Sequence, residues 1–120
     1  MSTPLAAEPL TACRKGMAVL SPAQVTAALD ALPEWAVIQQ NGVSQLQRSY
    51  TFRNFTDALA FTNAVGAIAE AADHHPALAL EWGKVSVRWW THVIGGLHHN
   101  DCIMAARTDA CYLPQPGVTA

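Results

Sequence analysis

The chain has 120 residues, 51% hydrophobic and 13% charged, which suits one packed core and excludes the composition of a disordered protein. Its formal net charge of −2 disfavours a nucleic-acid binder that relies on basic charge. The apolar runs are too short to span a membrane and the start lacks a signal-peptide pattern, so we expect a cytoplasmic protein. Three cysteines without a CxxC spacing favour free thiols over a zinc ribbon or a disulfide framework.

The chain is expected to begin with an arm and a short helix. Residues 1–20 are small, polar and interrupted by prolines, which indicates a flexible arm. The run SPAQ at residues 21–24 places serine at an N-cap, proline at the first helical position and glutamine at the third. This capping box and the apolar stripe after it predict a first helix, which Pro33 ends.

Two β-hairpins are predicted from alternating polar and apolar residues. The strands are expected over residues 35–39 and 43–52, and over residues 78–81 and 84–92. The first pair is joined by Asn41-Gly42, two residues that tolerate the positive φ of a tight turn. In the fourth strand the alternation places Val85, Val87 and Trp89 on one face, so we expect Trp89 to be a core residue. Trp90 points to the other face and is the better candidate to line a pocket.

Two further helices complete the predicted elements. Asn54 caps a long, alanine-rich second helix, which is expected to end near Asp73 because Pro76 disfavours helical geometry at the residue before it. The last helix is expected to start near residues 100–101.

The order of elements is helix, two strands, helix, two strands, helix. Because both strand pairs are hairpins, the sheet is expected to be antiparallel, with helices covering one face. The predicted fold class is therefore α+β, a two-layer sandwich around a four-stranded sheet. We expect one domain over residues 21–112 and a flexible tail over residues 113–120.

Histidines are the residues that suggest chemistry. Asp73-His74-His75-Pro76 falls where the second helix gives way to a strand, and His92 falls at the end of the fourth predicted strand. Histidine is the side chain whose unperturbed pKa, about 6.5, permits both proton donation and acceptance near neutral pH. Two separated histidine positions could therefore converge on one pocket.

Three interpretations of these histidines are open. In the first, they only finish a helix and a strand. In the second they bind a metal, but adjacent histidines on an extended chain point apart and HExxH is absent, so no metal site is predicted. In the third they perform metal-free acid–base catalysis, with nearby carboxylates and flat apolar surfaces. The candidate carboxylates are Glu70, Asp73 and Asp101. The candidate flat surfaces are Trp82, Trp89 and Trp90.

The spacing of these residues resembles a known signature. Glu70-x3-His74-His75-Pro76, then five residues to Trp82, nine to His92 and eight to Asp101, resembles the pattern of pterin-4a-carbinolamine dehydratases. The runs TFRNFTDALAFTNAV, EWGKVSVRWWTH and GGLHHND-x-IMAAR resemble the bacterial members that accompany phenylalanine hydroxylase. The resemblance covers roughly residues 20–110, and it implies a four-stranded antiparallel sheet with helices on one side.

The resemblance implies an activity and partners. Family members remove water from 4a-hydroxytetrahydropterin to give quinonoid dihydropterin, which recycles the pterin cofactor of aromatic amino acid hydroxylases. They use neither a metal nor an organic cofactor. The implied partners are the pterin, a second copy of the chain in a homodimer or homotetramer, and a functional link to phenylalanine hydroxylase, with no direct nucleic-acid or membrane contact. The alternative is a catalytically weak member that acts as a dimerisation, assembly or transcriptional cofactor.

The resemblance also implies roles for individual residues. His74 and His92 correspond to the acid–base pair on opposite sides of the pterin, and His75 corresponds to a binding residue. We add Glu70, Asp73 and Trp90 as substrate-binding residues, and Asp101, Pro76 and Trp82 as supporting residues. Glu70 is four residues before His74, so it could orient that ring. Asp101 is expected to cap the last helix or to hold the ring of His92.

Five positions depart from the family pattern. His98 replaces the usual serine or threonine cap of the last helix, so we expect the loss of a cap, at a cost of about 1 kcal/mol. Cys102 replaces a common phenylalanine and is expected to be a small buried residue. Ala77 and Leu78 stand where many relatives have a glutamate and an aromatic residue, and Leu80 replaces an asparagine. These changes could remove contacts to the substrate and lower its affinity.

Overall fold

The computed structural model describes residues 4–113. The α-helices are α1 (Pro22–Leu29), α2 (Phe55–Ala72) and α3 (His99–Cys111), and the strands are β1 (Ala36–Gln40), β2 (Val43–Thr51), β3 (Ala77–Glu81) and β4 (Lys84–Trp89). Two short 3₁₀ helices occupy Leu5–Ala7 and His92–Ile94. The element order α-β-β-α-β-β-α confirms the prediction.

The four strands form one antiparallel sheet in the order β1-β2-β4-β3. Its centre is the pairing of β2 with β4, in which Leu46 lies opposite Trp89. β1 and β2 are joined through Asn41 and Gly42, whose φ angles of 53° and 77° are those of a tight hairpin turn. The predicted turn and the α+β class are both confirmed.

The core lies between one face of the sheet and helices α2 and α3. The predicted inward face of β4, formed by Val85, Val87 and Trp89, is fully buried. Leu46 and Tyr50 of β2 lie beside these residues and are equally buried. The alternation that predicted the strands therefore also identified the face that packs against the helices.

The first helix is capped as predicted but is shorter. The Ser21 hydroxyl accepts a hydrogen bond from the Gln24 N–H at 3.2 Å, and the Gln24 side chain accepts one from the Ser21 N–H at 2.8 Å. Helix α1 then ends at Leu29 rather than at Pro33, because the N–H groups of residues 30–32 each donate to the carbonyl three residues back.

Strand β4 is also shorter than predicted. It was expected to reach His92 but ends at Trp89. Pairing with β3 ends at Arg88, opposite Ala77, and pairing with β2 continues to Trp89, opposite Leu46. The chain then turns at Thr91 into the second 3₁₀ helix, which carries His92. His92 therefore lies on a loop between β4 and α3.

The described part of the N-terminal arm packs against the body of the protein. Leu5 and Leu10 contact the core, and the Leu20 N–H donates to the Leu97 carbonyl at 2.8 Å. The sequence did not predict these contacts; the flexibility assigned to residues 1–20 stays a prediction about motion. The predicted tail, residues 113–120, lies outside the described residues except for Leu113. Between residues 4 and 113, none of the helices combines the length and the apolar character that crossing a membrane requires.

Candidate active site

The end of α2 sends two adjacent histidines in different directions. Asp73 adopts the left-handed conformation, with φ 51° and ψ 42°, and this ends the helix. The chain leaves in an extended path fixed by Pro76. The side chain of His74 turns inward and is 13% exposed, whereas that of His75 turns outward and is 54% exposed. The two histidines are therefore suited to different roles.

Asp101 holds the inward histidine. Its carboxylate is fully buried, and Oδ1 lies 2.6 Å from Nε2 of His74. Oδ2 accepts hydrogen bonds from the Thr91 hydroxyl at 2.8 Å and from the His98 N–H at 2.9 Å. Because a carboxylate offers only acceptors, the shared hydrogen of the His74 contact belongs on Nε2. In the neutral form of the ring the lone pair then lies on Nδ1, which is the nitrogen available to accept a proton.

Asp101 also caps α3, which confirms one of the two hypotheses that were drawn from the sequence. The other hypothesis, that it holds His92, is wrong, because its buried oxygens contact His74 instead. The expected loss of the cap at His98 is wrong as well. Nδ1 of His98 accepts a hydrogen bond from the Asn100 N–H at 3.0 Å, so a neutral histidine does the work of a serine hydroxyl here.

The plane of the His74 ring is fixed by an aromatic neighbour. Trp89 stacks on it, with ring centroids 5.6 Å apart and an interplanar angle of 8°. Trp89 is itself fully buried, and its indole N–H donates to the Thr108 hydroxyl at 3.0 Å. A ring held between a carboxylate and a rigid indole keeps one orientation. The interpretation of Trp89 as a core residue is correct but missed this contact.

His92 is held more weakly. Its ring lies 4.4 Å from that of Trp90, tilted by 34°. Its Nε2 is 3.4 Å from the carbonyl oxygen of His75, which is long for a hydrogen bond. The ring can therefore exchange this acceptor for a bound molecule at little cost. Trp90 was predicted to line the pocket; it lies instead against the ring of His92.

Glu70 contacts a different histidine from the one predicted. Its Oε1 lies 2.7 Å from Nε2 of His75, not near His74. The i to i+4 expectation fails because α2 ends at Ala72, and left-handed Asp73 then turns the chain away from the helical path. Both partners are largely exposed, so this pair contributes about 0–1 kcal/mol.

These residues surround a cavity of about 670 Å³. Its walls come from residues 10–13, 72–75 and 91–93 and from Asn100, so His74, His75, His92 and Asp73 all line it. Its volume lies within the usual range for small-molecule sites, about 300–1,000 Å³. Trp82 does not line it: this indole is 68% exposed, in the turn between β3 and β4.

Sequence reasoning missed several of the cavity's residues. Thr91 and Asn100 belong to no pattern that the sequence displays. Residues 10–13 come from the arm, far from the histidines in the chain. Only the position of Thr91, directly before His92, could have suggested its part.

Cys13 is the thiol in this cavity, and its environment keeps it protonated. Burial raises the pKa of the thiol, and the negative charge of Asp101 raises it further. Since the thiolate is the reactive form of cysteine, Cys13 is not an activated nucleophile. Across residues 4–113, no three His, Cys, Asp or Glu side chains are grouped as a metal site would require.

Comparison with known proteins points to one family. Residues 18–111 match the family model described as pterin 4 alpha carbinolamine dehydratase. A Marinobacter nauticus protein provisionally named a pterin-4-alpha-carbinolamine dehydratase is 55% identical over 102 residues, which are 85% of this chain and 92% of that protein. A Microcystis aeruginosa protein with the same provisional name is 49% identical, covering 94% of this chain and 97% of its own.

A solved structure has the same fold. The transcriptional coactivator/pterin dehydratase from Brucella melitensis superposes with a TM-score of 0.71 at 30% identity, covering 78% of this chain and 98% of that one. Since the family match spans most of the described residues, both hairpins and the whole histidine site, the chain belongs to the pterin-4a-carbinolamine dehydratase family.

Proposed function

We propose that this protein is a 4a-hydroxytetrahydropterin dehydratase that uses histidine acid–base catalysis without a metal or an organic cofactor. The observation that carries the proposal is the 2.6 Å contact between His74 and buried Asp101, in a cavity that His92 also lines. This arrangement provides a fixed proton acceptor and a second, more weakly held imidazole in one small space. Family membership supports a pterin as the substrate.

The reaction needs two proton transfers. The C–O bond at position 4a breaks, and its oxygen leaves as water once it has gained a proton. The electron pair that replaces this bond comes from a ring nitrogen, which forms a C=N bond and loses its own proton. The products are quinonoid dihydropterin and water, so atoms and charge balance. A positioned acid or base typically contributes about 10²–10⁴-fold to such a step.

His74 is suited to be the base. Its Nε2 hydrogen is committed to Asp101, which leaves the Nδ1 lone pair to take the proton from the pterin nitrogen. As the ring gains that proton it becomes positive, and the adjacent carboxylate stabilises the charge. Stacking on Trp89 keeps Nδ1 in one direction throughout.

His92 is suited to be the acid. Its Nε2 has only a long contact to the His75 carbonyl, so it can turn its N–H to the departing hydroxyl. His75 and Asp73 line the same cavity and bind the pterin, and Glu70 orients the exposed ring of His75. Proton donor and acceptor thus come from two separate loops, after α2 and after β4.

The proposal extends to the setting of the protein. It acts in the cytoplasm on the pterin left by an aromatic amino acid hydroxylase, with phenylalanine hydroxylase as the functional partner. It forms a homodimer or homotetramer, which is supported by Phe55 and Leu59 on α2, large apolar side chains that are 45% and 39% exposed. Sedimentation as a monomer at micromolar concentration would contradict this part.

The test of function is the dehydration of freshly generated 4a-hydroxytetrahydropterin, followed by ultraviolet absorbance. Wild type should accelerate the loss of this compound, and His74→Ala and His92→Ala should each lower kcat by about 10²–10⁴-fold. Asn63→Ala is the control, because Asn63 is an exposed residue of α2 that does not line the cavity. No acceleration by folded wild type would overturn the proposal and favour the alternative of a dimerisation, assembly or transcriptional cofactor.

A further inference from the structure

One wall of the histidine cavity comes from the arm. Residues 10–13, with the sequence Leu-Thr-Ala-Cys, line it together with the segments that carry the histidines. This segment lies outside residues 18–111, the part of the chain that matches the family model. The roles proposed above for the histidines do not explain why the arm lies here.

Asn100 holds this wall in place through hydrogen bonds to Thr11. Its Nδ2 donates to the Thr11 carbonyl at 2.6 Å, and its Oδ1 accepts from the Thr11 N–H at 2.9 Å. One amide side chain thus satisfies both backbone groups of a single arm residue. Asn100 is only 5% exposed, so the loss of this contact would leave its own polar atoms buried and unpaired.

The first turn of α3 also holds His74, the proposed base. Asn100 and Asp101 are consecutive in the first turn of α3, where Asn100 contacts Thr11 and Asp101 contacts His74. The wall and the base are therefore fixed relative to each other by neighbouring residues of one rigid element.

A second anchor lies two turns further along α3. Arg107 donates from Nε to the Ala6 carbonyl at 3.0 Å and from Nη2 to the Glu8 carbonyl at 2.9 Å. The arm is thus held both before the wall and at the wall. Together with the contact between His99 and Glu8 at 2.9 Å, these anchors on one helix restrict the path of the arm.

We propose that Asn100 is a positioning residue that fixes residues 10–13 as a substrate-facing wall, and that the uncharged side chains of this wall contact an uncharged part of the bound pterin. This inference rests on the proposed dehydratase function. Because the wall supplies contact rather than proton transfer, its loss should raise KM and leave kcat nearly unchanged. A purely structural Asn100 would produce no such separation between KM and kcat.

Two variants test the wall. Asn100→Ala removes both hydrogen bonds to Thr11 and should raise KM by about tenfold, with kcat changed by less than about twofold. Ala12→Trp adds bulk at an exposed wall position where no core contact is at stake, and it should raise KM at least as much. Asn63→Ala, at an exposed position of α2, and Ala18→Trp, at an exposed position outside the cavity, are the matched controls and should behave as wild type.

Each outcome decides the inference. Thermal unfolding first establishes that each variant is folded at the assay temperature; if Asn100→Ala is not, Ala12→Trp decides alone. If wild type is active and the wall variants have unchanged KM, the proposal that residues 10–13 contact the pterin is overturned and the dehydratase proposal stands. A fall in kcat at constant KM also overturns this proposal, because the segment would then affect the reaction step rather than substrate binding. Inactive wild type overturns both proposals.

Discussion

Replacing Asp101 by asparagine tests the contact on which the mechanism depends. The buried carboxylate accepts from His74, Thr91 and the His98 backbone, whereas an amide has one acceptor oxygen and an NH₂ group that faces donors. One or two buried donors are left without a partner, at about 2–4 kcal/mol in the free energy of unfolding. For a domain of this size the loss corresponds to a fall in Tm of roughly 10–20 °C.

Asp101→Asn should also impair catalysis in protein that is still folded. With an NH₂ group opposite Nε2, the His74 ring favours the tautomer whose hydrogen lies on Nδ1, and it then cannot accept a proton from the pterin. We expect kcat for dehydration to fall by about 10²–10⁴-fold. Nitrogen-15 NMR of the imidazole rings should report hydrogen on Nε2 of His74 in wild type and its loss from Nε2 in the variant.

Asp57→Asn is the matched control. Asp57 occupies the same third position of α2 after its cap, but it pairs with exposed Arg53 at the surface. This control should change Tm and kcat little, because exposed ion pairs contribute about 0–1 kcal/mol. If folded Asp101→Asn dehydrates the pterin as fast as Asp57→Asn does, Asp101 does not set the His74 tautomer and the reasoning is refuted.

Three further predictions concern other side chains. Glu70→Gln should change kcat by less than about threefold, because its pair with His75 is exposed; a hundredfold loss in the dehydration assay would show that this pair takes part in chemistry. Burial and the hydrogen bond to Asp109 raise the pKa of Tyr50, so the unfolded chain releases this proton at lower pH than the folded one. Stability measured by urea unfolding should therefore fall as pH rises above about 10, and Tyr50→Phe should flatten that fall; an unchanged slope would contradict the assignment. Burial raises the pKa of Cys102 to about 11, so a thiol reagent near neutral pH should label it only after unfolding, and rapid labelling of the native protein, seen by mass spectrometry, would contradict its burial.

Local signals in the sequence predicted much of the fold. The capping box at Ser21 and the Asn41-Gly42 turn act through neighbouring residues, so the sequence displays them directly. The end of β4 was mispredicted because alternation continues past Trp89, whereas the chain leaves the sheet and Thr91 pairs with Gly96. A strand end set by a contact with a later residue is not encoded in the strand's own pattern.

The site was predictable in its residue types and less so in its contacts. The spacing of the histidines and Asp101 identified residues that do meet, but Asp101 holds His74 rather than His92, across 27 positions of sequence. Glu70 contacts His75 rather than the predicted His74, because the left-handed conformation of Asp73 redirects the chain. The contacts of the arm could not be predicted, because no periodic pattern in the sequence connects Thr11 to Asn100, 89 positions away.

The most direct test of the proposed mechanism is a crystal structure of the protein with a non-reacting reduced pterin bound. The mechanism predicts the pterin ring in the cavity between residues 72–75 and 91–93, with Nδ1 of His74 about 3 Å from a ring nitrogen and His92 facing position 4a. A pterin bound elsewhere, for example in the groove of about 530 Å³ lined by Val19, Leu29 and Leu97, would contradict the mechanism. So would a pterin that meets His74 through Nε2.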